Sequence, residues 1–208
     1  MAPRAYNNAT RLQQQAQLKA RIAAAAAELH AERGAVATSY ADIAQRAGVS
    51  LPTVYNHFPG EDDLIAACTG HAARSAPALP VEQIMGAPDL ASAAQALVEA
   101  MDRIHAHYEP WQVWHEHRLV PALGALAESR RRDLTALIRQ LLARHAGAAG
   151  TPGLAAVWES LLHFDLWHRL TRQHGLARTV VRRTLVHLLL AACGPRPAAP
   201  SPGPTRRR

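Results

Sequence analysis

The sequence predicts an all-α protein of about nine helices. Alanine is abundant whereas valine, isoleucine, tyrosine and phenylalanine are scarce, which favours helices over strands. Apolar residues recur at spacings of three and four along most of the chain, and no alternating strand pattern interrupts them. With 208 residues, 49% of them hydrophobic, the chain is long enough for a small domain followed by a larger one with its own core.

The first two helices are defined by an apolar stripe and by capping residues. The stripe predicts a first helix that ends before Gly34. Ser39 is a good N-cap for the second helix because Asp42 follows three residues later, as in a capping box. Gly48 ends that helix. The residues expected to face inward here and in the third helix are Leu18, Ile22, Ala25, Ala26, Leu29, Ile43, Ala44, Ala47, Val49, Val54 and Phe58.

The third and fourth helices follow directly. Ser50 caps the third helix, and Pro52 lies in its first turn, where a missing N–H costs little because that donor has no partner within the helix. The fourth helix covers residues 61–75. Residues 76–88 contain three prolines and a glycine and are predicted to form a connection.

Five further helices are predicted beyond this connection. They cover residues 90–108, 111–118, 126–147, 154–174 and 176–192. Pro110 separates the first two, and Pro121 with Gly124 separates the second from the third. The helix at 154–174 is apolar on several sides, so it must be covered on several sides.

Composition divides the chain into four parts. These are a flexible leader at 1–15, a helical domain at 16–75, a larger helical domain at 76–194 and a disordered, basic, proline-rich tail at 195–208. The net charge is +7, but four of these positive charges are arginines in the tail. Charge alone therefore does not establish a nucleic-acid partner. The sequence shows neither a membrane span nor a signal peptide, and its two cysteines form no metal-site pattern. We therefore expect a cytoplasmic protein without a membrane partner, cofactor or metal.

Residues 38–58 read TSYADIAQRAGVSLPTVYNHF and resemble the helix-turn-helix of the TetR family of transcriptional regulators in residue type, spacing and position. The likeness runs from about Arg21 to Leu64. The resemblance implies a bacterial DNA-binding regulator with a helix-turn-helix domain followed by an effector-binding and dimerisation domain. Its expected partners are double-stranded DNA with a near-palindromic operator, a small-molecule effector and a second copy of the chain.

The third helix is expected to present its outer half to DNA. Because Val54 and Phe58 face inward, a turn of about 100° per residue places the neighbouring side chains outside. The residues predicted to contact DNA are Thr38, Ser39, Ser50, Leu51, Pro52, Thr53, Tyr55, Asn56 and His57. Among them, Ser39, Thr53, Tyr55 and His57 suit phosphate or sugar, whereas Leu51, Pro52 and Asn56 suit base edges.

The chain departs from the family pattern at one position. The family commonly has a lysine three residues after the motif's phenylalanine, and Glu61 stands there in this chain. Asp62 and Asp63 follow; such acids stabilise a helix N-terminus but repel phosphate. Phosphate contacts are therefore expected from other cations, with Arg4, Arg11, Lys19, Arg21 and Arg46 as candidates.

The resemblance also implies roles for the larger domain. In TetR-like proteins the last two helices of two subunits form a four-helix bundle, and residues 154–174 and 176–192 look like that pair. The residues predicted to dimerise are Trp158, Leu161, Leu162, Asp165, Val181, Leu185 and Leu188. The residues predicted to bind an effector are Met101, His105, Tyr108, Trp111, Trp114, His115, Arg118, His163 and Trp167, with simple core packing as the alternative for each.

The expected mechanism is a dimeric repressor that leaves its operator when the effector binds, because an effector lowers DNA affinity only if it prefers the non-binding conformation. Activation is the other outcome that the sequence allows. The twelve histidines suggest a metal-responsive regulator as an alternative, although H-x-H pairs on a helix point to different sides. A second alternative is a helical interaction protein that does not bind DNA. No nucleophile with an adjacent base stands out, so no enzymatic activity is predicted.

Overall fold

The structure is a computed structural model that describes residues 8–146 and 152–194. These residues form α-helices and no strand, which confirms the predicted all-α class. In chain order the helices are α1 (Asn8–Arg33), α2 (Tyr40–Ala47), α3 (Leu51–His57), α4 (Glu61–Ala73), α5 (Val81–Met85), α6 (Leu90–Gln112), α7 (Pro121–Ala146), α8 (Pro152–Leu161), α9 (Phe164–His168) and α10 (Arg178–Ala192). A 3₁₀ turn at Glu116–Arg118 precedes α7, and a π-helical turn at Arg169–Gln173 continues α9.

The helices divide into two compact units. The first unit contains the chain up to Ala78 together with Arg103–Arg132, and the second contains Leu79–Asp102 with the residues from Asp133 onward. The first unit thus differs from the predicted domain at 16–75, because it also includes the end of α6 and the start of α7. The predicted tail at 195–208 lies outside the described residues.

The core of the first unit lies where α1 packs against α2 and α4, and α2 against α3. The residues predicted to face inward are buried there, with Leu18 and Val49 partly buried. The Sγ atom of Cys68 on α4 lies 3.5 Å from Nδ1 of His30 on α1. Burial raises the pKa of Cys68 to about 12, so its thiol is protonated at neutral pH. Both cysteines are free.

The second unit is held by two buried polar contacts. The fully buried Trp158 of α8 donates its indole N–H to the carbonyl oxygen of Leu189 on α10 at 3.0 Å. Asp102 of α6 accepts hydrogen bonds from Trp167 Nε1 at 2.8 Å and from the guanidinium groups of Arg178 and Arg182 at 2.8–3.0 Å. One buried carboxylate therefore joins α6 to α9 and α10.

Helix α1 begins at Asn8, inside the predicted leader. Residues 8–15 contain alanine, arginine, leucine and glutamine, which are strong helix formers, so the helix extends beyond its buried stripe. The side chains from residue 10 to residue 17 are exposed. Residues 1–7 of the predicted leader lie outside the described residues.

The predicted helix at 111–118 is wrong. Helix α6 continues through Pro110 to Gln112, and His115 then takes a left-handed conformation with φ 54°. Pro110 lies in the last turn of α6, where its missing N–H removes one hydrogen bond, that to the carbonyl oxygen of Ala106. Pro121 begins α7 instead of separating two helices, since a proline in the first turn loses no hydrogen bond. Gly124 lies within α7, where a Cβ atom would come within 2.8 Å of the carbonyl oxygen of His117.

The predicted single helix at 154–174 is also wrong, because the chain breaks between α8 and α9. His163 is extended, with φ −70° and ψ 146°, and its Nδ1 accepts the backbone N–H of Asp165 at 3.3 Å. Histidine therefore acts as the N-cap of α9, a role for which it is an uncommon residue. Five residues in the predicted connection at 76–88 form the short helix α5.

Candidate nucleic-acid interface

The helix-turn-helix is shaped by the local contacts that the sequence predicts. The Ser39 hydroxyl oxygen accepts the Asp42 N–H at 3.2 Å, and the Asp42 carboxylate accepts the Ser39 N–H at 2.9 Å, which confirms the capping box. Gly48 has φ 63° and ends α2 in the left-handed region. Ser50 caps α3 by accepting the Thr53 N–H at 3.4 Å. These caps fix the angle at which α3 leaves α2.

Helix α3 presents an exposed face between its two inward-facing anchors, Val54 and Phe58. Tyr55 is 51% exposed and Leu51 38% exposed. Ser39, Ser50, Pro52 and Asn56 are also exposed, whereas Thr38, Thr53 and His57 are half-buried. The Thr38 hydroxyl donates to the carbonyl oxygen of Gly34 at 2.6 Å, so this group stabilises the turn after α1. The structure therefore brings most of the predicted DNA-contacting side chains onto one surface.

Tyr55 is supported by Tyr40, a residue that the sequence analysis did not single out. Their ring centroids are 4.8 Å apart, so the first residue of α2 holds the aromatic side chain of α3 in place. Burial, followed by the negative charges of Glu61 and Asp63 and the neighbouring Tyr55, raises the pKa of Tyr40 above its usual range. Acidic groups at the start of α4 therefore lie close to this tyrosine pair.

The candidate phosphate-binding cations differ in their surroundings. Arg46 forms ion pairs with Glu32 at 2.9 Å and with Glu28 at 3.3 Å, so its charge is neutralised by α1. Lys19 instead places its Nζ 5.9 Å from the centroid of the Phe58 ring. Arg11 and Arg21 are exposed on α1, and Arg4 lies outside the described residues.

The last turn of α6 and the segment that follows it contact the second half of α1 in the first unit. Trp111 donates its indole N–H to the carbonyl oxygen of Ala27 at 2.8 Å, and Trp114 donates to that of Ala31 at 3.3 Å. The carboxylate of Glu116 accepts the backbone N–H groups of Ala35 and Val36 at 2.5 and 2.8 Å. We call Trp111, Trp114 and Glu116 the α1 clamp, because their contacts follow one another along α1 and into the turn before α2.

The residues predicted to bind an effector are divided between the two units. His105, Tyr108, Trp111, Trp114, His115 and Arg118 belong to the first unit, whereas Met101, His163 and Trp167 belong to the second. Trp111, Trp114, His163 and Trp167 make hydrogen bonds within their own units. The guanidinium carbon of Arg130 lies 4.7 Å from the centroid of the Tyr108 ring, within the first unit. Met101, His105 and Tyr108 are spaced four and three residues apart along α6.

The residues predicted to dimerise are largely covered within one chain. Trp158, Leu162, Val181 and Leu185 are at most 4% exposed, so they stabilise the subunit and have little area left for a partner. Leu161 and Asp165 are half-buried, and Leu188 is 41% exposed. Other exposed apolar side chains lie on the same two helices, with Val157 on α8 at 45% and Val180 on α10 at 37%.

A family comparison identifies the helix-turn-helix. Residues 22–68, from α1 to α4, match the family model described as bacterial regulatory proteins, tetR family. The helix-turn-helix segment is therefore similar to that of the TetR family. Comparison with curated proteins gives no match.

Solved structures show the same TetR-like fold along most of the chain. A transcriptional regulator from Rhodococcus sp. RHA1 has a TM-score of 0.65 and 18% identity, with 84% of this chain and 95% of that chain covered. A TetR-family regulator from Streptomyces coelicolor has a TM-score of 0.63 and 21% identity, with 84% and 81% covered. The multidrug binding protein EbrR, complexed with imidazole, has a TM-score of 0.55 and 23% identity, with 87% and 97% covered.

The described residues contain neither a membrane-spanning helix nor a cluster of metal ligands. Within residues 8–146 and 152–194, no helix combines the length and the apolar character needed to cross a membrane. In the same part of the chain, no group of three or more histidine, cysteine, aspartate or glutamate side chains is arranged to hold a metal ion.

Proposed function

We propose that this protein is a dimeric DNA-binding transcriptional repressor that a small molecule releases from its operator. The observation that carries the proposal is the exposed face of α3, where Leu51, Pro52, Tyr55 and Asn56 lie between two buried anchors within a TetR-family helix-turn-helix. Such a helix enters the major groove, and its polar side chains bind base edges and phosphates. Two copies about 34–36 Å apart would read a near-palindromic site.

Replacing Tyr55 or Asn56 by alanine is expected to weaken binding to the DNA upstream of the gene by about tenfold or more, because a good side-chain contact to a base contributes about 1–3 kcal/mol. A mobility-shift assay at low salt measures the change. Gln140→Ala on the exposed surface of α7 is the control and should bind as the wild type does. The proposal fails if the wild type binds no segment, or if both variants retain full affinity.

The proposed dimer contact lies on the exposed apolar side chains of α8 and α10. Val180, Thr184, Leu188 and Ala191 are exposed at spacings of three and four, so they share one face of α10. Val157 adds an exposed apolar side chain on α8, which packs against α10. Burial of this apolar surface against a second copy would favour association.

Leu188→Asp is expected to shift the protein from dimer towards monomer, because the interface would have to bury a carboxylate without a partner. Sedimentation velocity across a range of protein concentrations measures the shift. Leu119→Asp is the matched control, since Leu119 is 70% exposed outside α8 and α10. A dissociation constant that Leu188→Asp leaves unchanged would remove this face from the proposal.

The proposed effector contact is His105 and Tyr108 on α6, both in the first unit, which combine apolar and polar atoms suited to a small organic molecule. Binding of imidazole by the similar protein EbrR supports a ligand of this size. The substrates of enzymes encoded beside this gene are the first compounds to test. A compound that binds here should raise the melting temperature of the wild type more than that of His105→Ala.

A further inference from the structure

We propose that Lys19 on α1 is a DNA phosphate contact, and that it supplies beside α3 the positive charge that the start of α4 lacks. This inference rests on the proposed DNA-binding function and adds one binding residue to it. It follows from the position of the Lys19 ammonium group, from the pairing of two arginines on α1 and α2 and from the acidic start of α4.

The ammonium group of Lys19 is held at the C-terminal end of α3. Its Nζ lies over the ring of Phe58, 5.9 Å from the centroid, and Phe58 is the residue that directly follows α3. Phe58 is itself fixed, because it is 4% exposed and its N–H donates to the carbonyl oxygen of Val54 at 2.8 Å. An ammonium group above an aromatic ring is attracted by the ring face, so the side chain is directed towards α3.

Two arginines, one on α1 and one on α2, are already paired with acids. Arg46 is bound by Glu28 and Glu32, and Arg33 lies 3.1 Å from the carboxylate of Asp42. Within residues 8–146 and 152–194, no acidic side chain forms an ion pair with Lys19. Lys19 is exposed and is the chain's lone lysine, so its charge can neutralise a phosphate without first breaking a salt bridge.

The opposite charge lies at the start of α4. Glu61, Asp62 and Asp63 occupy its first turn, and Glu61 and Asp63 are near enough to Tyr40 to act on its hydroxyl group. These carboxylates repel the DNA backbone, so a phosphate that passes the end of α3 gains no attraction from them. A lysine is well suited to the neighbouring position, because its ammonium is a compact charge with three donors on a flexible stem.

The inference is tested with Lys19→Gln, Lys19→Met and Lys19→Arg. Fluorescence anisotropy gives the dissociation constant for the upstream duplex and for a random-sequence duplex of the same length, at several salt concentrations between about 50 and 200 mM. Each subunit of the proposed dimer loses one phosphate contact, so the slope of log K against log salt should become shallower by about 1.8 and binding should weaken on the order of 25-fold at about 0.1 M salt. Both duplexes should lose the same factor, because a phosphate contact carries no sequence information. Lys19→Arg should restore the wild-type slope.

Arg139→Gln on α7 is the charge-matched control. Arg139 is exposed, and the variant removes the same charge from a helix outside the helix-turn-helix. It should keep the wild-type slope. Lys19→Met retains the apolar stem above Phe58, so agreement between Lys19→Met and Lys19→Gln separates the charge from the packing.

The possible outcomes distinguish this inference from the proposed function. If the wild type binds neither duplex at low salt, the proposed function itself is wrong. If Tyr55→Ala weakens binding while Lys19→Gln and Lys19→Met keep the wild-type slope, only the assignment of Lys19 is wrong. A loss confined to the upstream duplex, or an equal loss in Arg139→Gln, would also overturn the assignment.

Discussion

Asp102→Ala is expected to lower the free energy of unfolding by about 3 kcal/mol, since removing one partner of a buried ion pair typically costs about 3–5 kcal/mol. The Asp102 side chain is 1% exposed and accepts bonds from Trp167, Arg178 and Arg182. The variant removes the Asp102 carboxylate from the indole N–H and from both guanidinium groups. The side chains of Arg178 and Arg182 are 44% and 36% exposed and stay partly hydrated, which places the loss at the lower end of that range.

A thermal melt measures this loss. For a chain of this length, about 3 kcal/mol corresponds to a decrease in melting temperature of about 6–12 °C. Asp133→Ala is the matched control because Asp133 is exposed on α7, and a surface substitution of this kind changes stability by about 0.5 kcal/mol or less. Equal melting temperatures for Asp102→Ala and Asp133→Ala would show that the Asp102 contacts do not hold α6 to α9 and α10.

The stability that Asp102 contributes should depend on pH. Burial alone would raise the pKa of Asp102, but the bonds from Arg178, Trp167 and Arg182 outweigh it and hold the pKa below its usual range. A carboxyl group with a lowered folded-state pKa contributes stability that is present above its unfolded pKa of about 3.9 and is lost as the pH falls through the folded value. The difference in melting temperature between the wild type and Asp102→Ala should therefore narrow below about pH 4.

Local interactions explain why the helix-turn-helix could be predicted from the sequence. The caps at Ser39 and Ser50 act within three residues, and Gly48 takes a conformation that glycine adopts at no steric cost. The spacing of Val54 and Phe58 identifies the buried face of α3 and therefore also its exposed face. The prediction of the DNA-contacting surface thus required no information about distant parts of the chain.

Sequence patterns could not predict contacts between residues that lie far apart along the chain. Asp102 meets Arg178 and Arg182 across 76 and 80 residues, and nothing in its spacing selects these arginines from the others in the chain. The same holds for Trp111 and Trp114, whose periodicity suggested a ligand pocket but whose indole groups bind carbonyl oxygens of α1. A helical stripe shows that a side chain faces inward, but it does not show what that side chain meets.

The break at His163 illustrates a different limit. Helix α8 and helix α9 form a single apolar pattern in the sequence, and no glycine or proline separates them. The chain turns there because the imidazole of His163 accepts a backbone N–H, a contact that depends on the side-chain conformation. Serine, threonine, aspartate and asparagine are the preferred N-cap residues, so a histidine at this position does not indicate the start of a helix.

Glu116→Ala is expected both to destabilise the first unit by about 2–3 kcal/mol and to weaken DNA binding. Its carboxylate accepts the N–H groups of Ala35 and Val36, and each hydrogen bond to a charged group contributes about 1.5–3 kcal/mol. The Ala35 bond is partly buried, whereas the Val36 bond is exposed and water can replace it, so the expected loss is less than the sum of both. These two bonds fix the turn through which α1 leads to α2.

The effect on DNA binding follows from that turn. Gly34 has φ 84°, and the Thr38 hydroxyl bonds to its carbonyl oxygen, so the Glu116 contacts lie at the start of the segment that positions α2 and α3. Loosening the turn lets α3 sample orientations that do not fit the groove, which lowers the population able to bind.

Melting curves and duplex anisotropy measure the two effects of Glu116→Ala on the same protein. Glu128→Ala, which removes an exposed carboxylate of α7 paired with Arg131, should change neither by more than the experimental error. If Glu116→Ala has a lowered melting temperature but binds both duplexes like the wild type, Glu116 stabilises the first unit without affecting DNA binding.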